Sequence, residues 1–221
     1  MVDSANNSGA SSNRAKNGRN ANSASKASAN NSSASNTRTE ATTADYKRVL
    51  AKPMLYRGIV SALFALVGVF FNTTPTVGAI SAAFAILFLT SALFYWPIMR
   101  LALAPSYRTA VTSAVLAWAI AGVLAIIMRD PAGMALAVAF GYTIGGASEL
   151  YGGLTTRETG RPSKDTTISG GLGVIGGIIM VFMTTSDAHG VFGMASMITA
   201  LIAVHLLISA VGYMQDQRRG N

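Results

Sequence analysis

The stretch Ala83-Phe84-Ala85-Ile86-Leu87-Phe88-Leu89 is apolar at every position. A strand of a membrane barrel alternates apolar and polar residues, and this run does not, so it reads as helix. Working outward, the apolar character extends over about Val77–Trp96. Five more stretches of the same kind follow the chain at about Leu55–Phe71, Thr109–Met128, Gly133–Leu154, Thr167–Thr184 and Gly190–Tyr213. Each is roughly 17–24 residues long, which at about 1.5 Å per residue crosses a hydrocarbon layer of about 30 Å. The sequence therefore predicts an all-α membrane protein with six transmembrane helices.

The basic residues set the expected orientation. Every Lys and Arg except Arg129 falls before the first span, between spans 2 and 3, between spans 4 and 5, or after span 6. Arg57 is counted with the first of these groups, at the start of its helix. Basic flanks stay on the cytoplasmic side of a membrane, so both termini are expected there. The connections on the opposite side are a few residues each, which makes spans 1–2, 3–4 and 5–6 antiparallel neighbours and leaves no room for an outer domain.

Three segments follow. Residues 1–44 are rich in Asn, Ser, Ala and Thr and contain no Leu, Ile, Phe, Tyr or Trp. Such a tail cannot bury enough apolar surface to offset its chain entropy and is expected to be disordered. Residues 45–214 hold the spans, and residues 215–221 form a short basic tail. The N-terminal segment lacks the short apolar core of a secretory signal. The net charge of +8 is explained by topology and by contact with anionic lipid, so the bilayer is the expected partner and nucleic acid is not.

The hairpins share features. Tyr56-Arg57 opens span 1 and Tyr107-Arg108 opens span 3; Pro75 and Pro131 sit in the first two turns; Tyr95, Tyr151 and Tyr213 close spans 2, 4 and 6. The third unit has Asp165-Thr166 in place of Tyr-Arg and no turn proline. Two spans per unit make all units face the same way, a parallel repeat of three helical hairpins.

With the opening Tyr56-Arg57-Gly58-Ile59, the glycine Gly68, the turn proline Pro75 and the closing segment Gly145-Gly146-Ala147-Ser148-Glu149-Leu150-Tyr151, the region from Leu55 to Met214 resembles the HdeD-like family of small bacterial membrane proteins built from two-helix repeats. The resemblance implies a six-span inner-membrane protein, in some bacteria linked to acid resistance, without catalytic residues to carry over. The long tail is not part of that pattern.

Two ionisable residues lie within spans, Glu149 in span 4 and His205 in span 6. Charge inside a bilayer costs about 2.5–3.5 kcal/mol at the centre and usually faces protein or water. One reading is a proton-responsive pair, since a desolvated Glu moves up toward the range where His titrates. The other places Glu149 near the headgroups, solvated or paired with Arg157 or Arg108, and gives His205 a bond to a neighbouring helix. Counted from the closing tyrosines, the two differ in depth by about 9 Å, so direct contact is not expected.

Gly141, Gly145 and Gly153 share a stripe with Glu149 at a spacing of four, and Ser169, Gly173 and Gly177 form a second stripe in span 5. Small residues at this spacing let helix backbones approach closely, so spans 4 and 5 are expected to pack together. Asp187 and His189 in the outer 5–6 connection are too few for a metal site and read as a solvated pair.

The chain has no Cys, which excludes disulfides and thiolate chemistry. It has no phosphate-binding glycine loop, no His-Glu-x-x-His and no Gly-x-Ser-x-Gly. No cofactor or metal is expected, and an enzyme is the least favoured class. A non-enzymatic membrane protein of stress or acid tolerance, a small transporter or channel subunit for protons or solute, and an accessory subunit of a larger membrane complex all stay open. So does a homo-oligomer.

Overall fold

The computed structural model describes residues 43–70, 75–100 and 104–219. The tail expected to be disordered lies outside these residues but for its last two, as do most of the first outer connection and part of the 2–3 connection. The elements are α1 (Thr43–Phe70), α2 (Val77–Tyr95), α3 (Pro105–Ile127), α4 (Pro131–Thr155), α5 (Arg161–Phe182) and α6 (Ala188–Arg219), with short 3-10 turns after α2, α4 and α5. No strand occurs among the described residues.

The starts of α2, α4 and α6 are fixed by side chains that satisfy otherwise orphaned backbone donors. Thr76 Oγ1 accepts from the Ala79 amide at 3.3 Å, Asp130 Oδ1 from Gly133 at 2.8 Å, and Asp187 Oδ1 from Gly190 at 2.8 Å. Asp187 is thus a helix cap as well as a loop residue. α3, α4 and α5 each carry proline in their first turn, where the missing amide costs nothing. Gly160, at φ 70°, supplies the left-handed turn that joins α4 to α5.

From α2 to α6, neighbours in sequence pack as neighbours in space, with α4 most extensively against α5 and α3. At the centre, α2, α4 and α6 meet pairwise. The Phe88 and Tyr142 rings are 5.4 Å apart, Phe84 and Phe192 are 5.9 Å apart, and the Tyr142 and Thr199 hydroxyls share a hydrogen bond. Phe64 of α1 closes against Phe84 and Phe192.

The outward surface is largely apolar. Leu63, Phe70, Ile86, Leu93, Ile127, Ile175, Phe182, Leu201 and Ile208 are all exposed. Water-facing surfaces of soluble domains do not carry this much large apolar side chain, whereas hydrocarbon favours it. The molecule is a membrane-embedded helical protein. Among the described residues, five helices are long and apolar enough to cross: Thr43–Phe70, Val77–Met99, Pro105–Ile127, Arg161–Thr185 and Ala188–Arg219. The expected sixth, α4, has the length but not the composition, because six of its 25 residues are glycine and it carries Glu149. Its polar and small surface is turned inward; its exposed residues form a stripe at Leu136, Ile144, Ala147, Tyr151 and Leu154.

α1 begins a dozen residues before the expected start. Tyr46, Leu50, Met54, Arg57, Ser61 and Phe64 are buried at helical spacing along one face, so packing carries the helix back through Pro53 and the charges at Lys47, Arg48 and Lys52. α6 likewise runs on to Arg219. The two Tyr-Arg pairs are not equivalent: Tyr56 is exposed and Arg57 buried, while Tyr107 is buried and Arg108 exposed.

Candidate functional site

Arg57 is the centre of the site. It lies mid-helix and is buried at 6% exposure, which corrects the expectation that it stands at the start of its helix. Its Nη1 donates to Oε1 of Glu149 in a buried ion pair. The second carboxylate oxygen, Oε2, accepts from Ser169 Oγ at 3.0 Å. The guanidinium carbon lies 4.0 Å from the Trp118 ring centroid and 5.2 Å from that of Tyr95, and the two rings meet edge to face at 5.3 Å. Arg57, Tyr95, Trp118, Glu149 and Ser169 come from α1, α2, α3, α4 and α5 in turn.

The arrangement follows from the cost of bare charge in low dielectric. A planar guanidinium can bond a carboxylate in its plane while its face rests on an aromatic ring, which an ammonium cannot do as well. Ser169 supplies a further donor to the acid. Glu149 is therefore neither solvated nor paired with Arg157 or Arg108, the partners expected from sequence. It is neutralised by a residue 92 positions away.

Room for the site comes from glycine. A Cβ at residue 145 would lie 2.9 Å from Cδ1 and Cε2 of Trp118. The absence of that Cβ lets the indole approach the α4 backbone closely while its ring carries Arg57. Gly141 similarly receives Ala121 and Phe88. These two glycines thus face α3 and α2 and not α5. Gly153, Gly173 and Gly177 do meet the α4–α5 seam: a Cβ at Gly153 would press on Thr167 N at 2.7 Å, one at Gly173 on Gly146 Cα at 3.0 Å, and one at Gly177 on Thr143 N at 2.7 Å. Gly146 and Gly170 oppose each other across the same seam, backbone to backbone.

Beside Arg57 is a cavity of about 10 Å³ lined by Ser61, Ser91, Tyr142 and Thr199 among others. That is room for about one water molecule, among hydroxyls that could hold it.

His205 is elsewhere. Its Nε2 lies 2.9 Å from the carbonyl oxygen of Asp165 and donates to it, an inter-helix bond of the kind one sequence reading gave it. Asp165 Oδ2 accepts from Tyr213 OH at 2.7 Å, with Arg161 at 3.7 Å. Arg161 also approaches Asp216, which Lys47 pairs at 2.7 Å. These contacts tie α1, α5 and α6 together at one end. Glu149 and His205 have separate partners and do not form one unit. No cluster of three or more metal-ligating side chains occurs among the described residues.

Comparison with protein-family models, with curated proteins and with solved structures gives no match to this chain.

Sequence reading found Glu149 but missed Arg57, Tyr95, Trp118 and Ser169 as its surroundings. One signal was present: Tyr46, Leu50, Met54, Arg57 and Ser61 recur at spacings of four, four, three and four, which puts Arg57 on an apolar face.

Proposed function

We propose that the chain is a non-enzymatic membrane protein of the bacterial inner membrane. In this reading all six helices cross the bilayer as three same-facing hairpins, both termini lie in the cytoplasm, and the protein serves envelope stress tolerance, acid stress in particular. The observation that carries the six-span part is the buried Arg57–Glu149 pair. With Glu149 neutralised inside the bundle, the lower apolarity of α4 is no obstacle to crossing, since α4 meets protein on most of its surface. The pairwise meeting of α2, α4 and α6 supports three hairpins around a common axis, as do the matching caps at Thr76, Asp130 and Asp187. Orientation rests on the basic flanks, which keep their asymmetry without Arg57.

The stress role is supported by the resemblance to HdeD-like proteins. It is tested with a deletion strain: survival in acid should fall and return on complementation. Survival equal to the parent across acid and other envelope stresses contradicts it.

The water-sized cavity among Ser61, Ser91, Tyr142 and Thr199 favours a second reading, a proton-translocating subunit with Glu149 on the path. Liposomes containing the protein would then carry a proton flux that Glu149→Gln abolishes. A flux unchanged by that substitution and by His205→Ala removes this reading.

A further inference from the structure

We infer that the turn between α4 and α5 holds an anionic phospholipid. A hollow of about 420 Å³ lies there, lined by Leu154, Arg157, Gly160, Ser163, Lys164, Thr167 and Ile168. Arg157 and Lys164 are exposed, and neither has a carboxylate partner among the described residues. Below them Leu154 and Ile168 present exposed aliphatic surface. Two uncompensated cations above an apolar floor, at the end of two helices, match a phosphate headgroup with its acyl chains running along the helices. Ser163 is already engaged, donating to Gly153 O at 2.7 Å, so the charges are the recognition elements.

A second basic hollow, near Arg161 and Arg219, also contains Asp216. Its acid lies 3.8 Å from Arg161, and this internal compensation makes it the weaker anion site. The two hollows therefore give a matched control within one molecule. The proposal requires that the α4–α5 turn lie at a lipid interface, and it does not depend on the stress role.

The test is native mass spectrometry of the full chain, released from nanodiscs of mixed phosphatidylglycerol and phosphatidylcholine. The wild type should retain phosphatidylglycerol selectively. Arg157→Gln/Lys164→Gln should lower that selectivity roughly tenfold or more, Arg157→Lys/Lys164→Arg should keep it, and Arg161→Gln/Arg219→Gln should leave most of it. Arg157 and Lys164 have no carboxylate partner among the described residues, so Arg157→Gln/Lys164→Gln should insert and elute as the wild type does. Inserted protein with no selectivity, or selectivity unaffected by Arg157→Gln/Lys164→Gln, overturns the site. Failure of the chain to enter nanodiscs at all would overturn it too, through the membrane reading on which it stands.

Discussion

Arg57 and Glu149, 92 residues apart in the chain, form an ion pair in which each side chain is more than nine-tenths buried. Removing one partner of such a pair leaves the other charged and desolvated, at a cost of about 3–5 kcal/mol, while apolar replacement of both is often neutral. Arg57→Met and Glu149→Leu alone should therefore each destabilise the protein strongly, and Arg57→Met/Glu149→Leu should recover most of the loss. Thermal unfolding in mild detergent, read as a double-mutant cycle, checks this. A loss in the double variant equal to the sum of the two single losses would show that the pair does not act as a unit.

Gly145 and Gly171 should respond oppositely to alanine. At residue 145 the added methyl meets Trp118, and overpacking of this kind costs about 1–3 kcal/mol. At residue 171 the added methyl would meet nothing within 4 Å beyond its own stretch of helix, and alanine's better helix propensity should stabilise by up to about 1 kcal/mol. Unfolding temperatures give the comparison. Emission of the buried Trp118 should also change in Gly145→Ala, against a constant background from the exposed Trp96.

The α4–α5 seam predicts that Gly173→Leu forces the two backbones apart, since Gly146 Cα is only 3.0 Å from where its Cβ would stand. The variant should aggregate or elute as a larger species in gel filtration. Wild-type elution and unfolding temperature would contradict backbone-to-backbone packing.

At the end of the bundle, Tyr213→Phe and Asp216→Asn should differ. The Tyr213 hydroxyl donates to a carboxylate from a buried ring, and such a bond is worth about 1.5–3 kcal/mol. The Lys47–Asp216 pair is partly solvated and should be worth about 0–1 kcal/mol. Unfolding temperatures in the same detergent rank the two, with Tyr213→Phe expected to lose more.

Much of this architecture was legible in local pattern. Continuous apolar runs such as Ala83–Leu89 identify helices in lipid without any tertiary knowledge, and the small-residue spacing at Gly173 and Gly177 pointed to the α4–α5 seam. What was not legible depends on partners distant in the chain. Arg57 stands next to an exposed tyrosine and after a proline and three cations, so it reads as a flank; only the burial of Tyr46, Leu50 and Met54 carries α1 through it. Gly141 and Gly145 share a stripe with Gly153, but the stripe curves around α4 onto different neighbours, so spacing alone could not say that Trp118 fills the space at residue 145. Glu149 was recognised as costly within a span, but the identity of its counter-ion is a property of how α1 meets α4.

The central claim is that α4 crosses the bilayer with its polar surface sheltered by the bundle. The chain has no native cysteine, so single cysteines can be placed without altering the background. Arg129→Cys, before α4, and Glu158→Cys, after it, would be labelled in intact cells with a membrane-impermeant maleimide. The account predicts labelling at residue 129 in intact cells and at residue 158 only after permeabilisation. Labelling of both positions from the same side would contradict it.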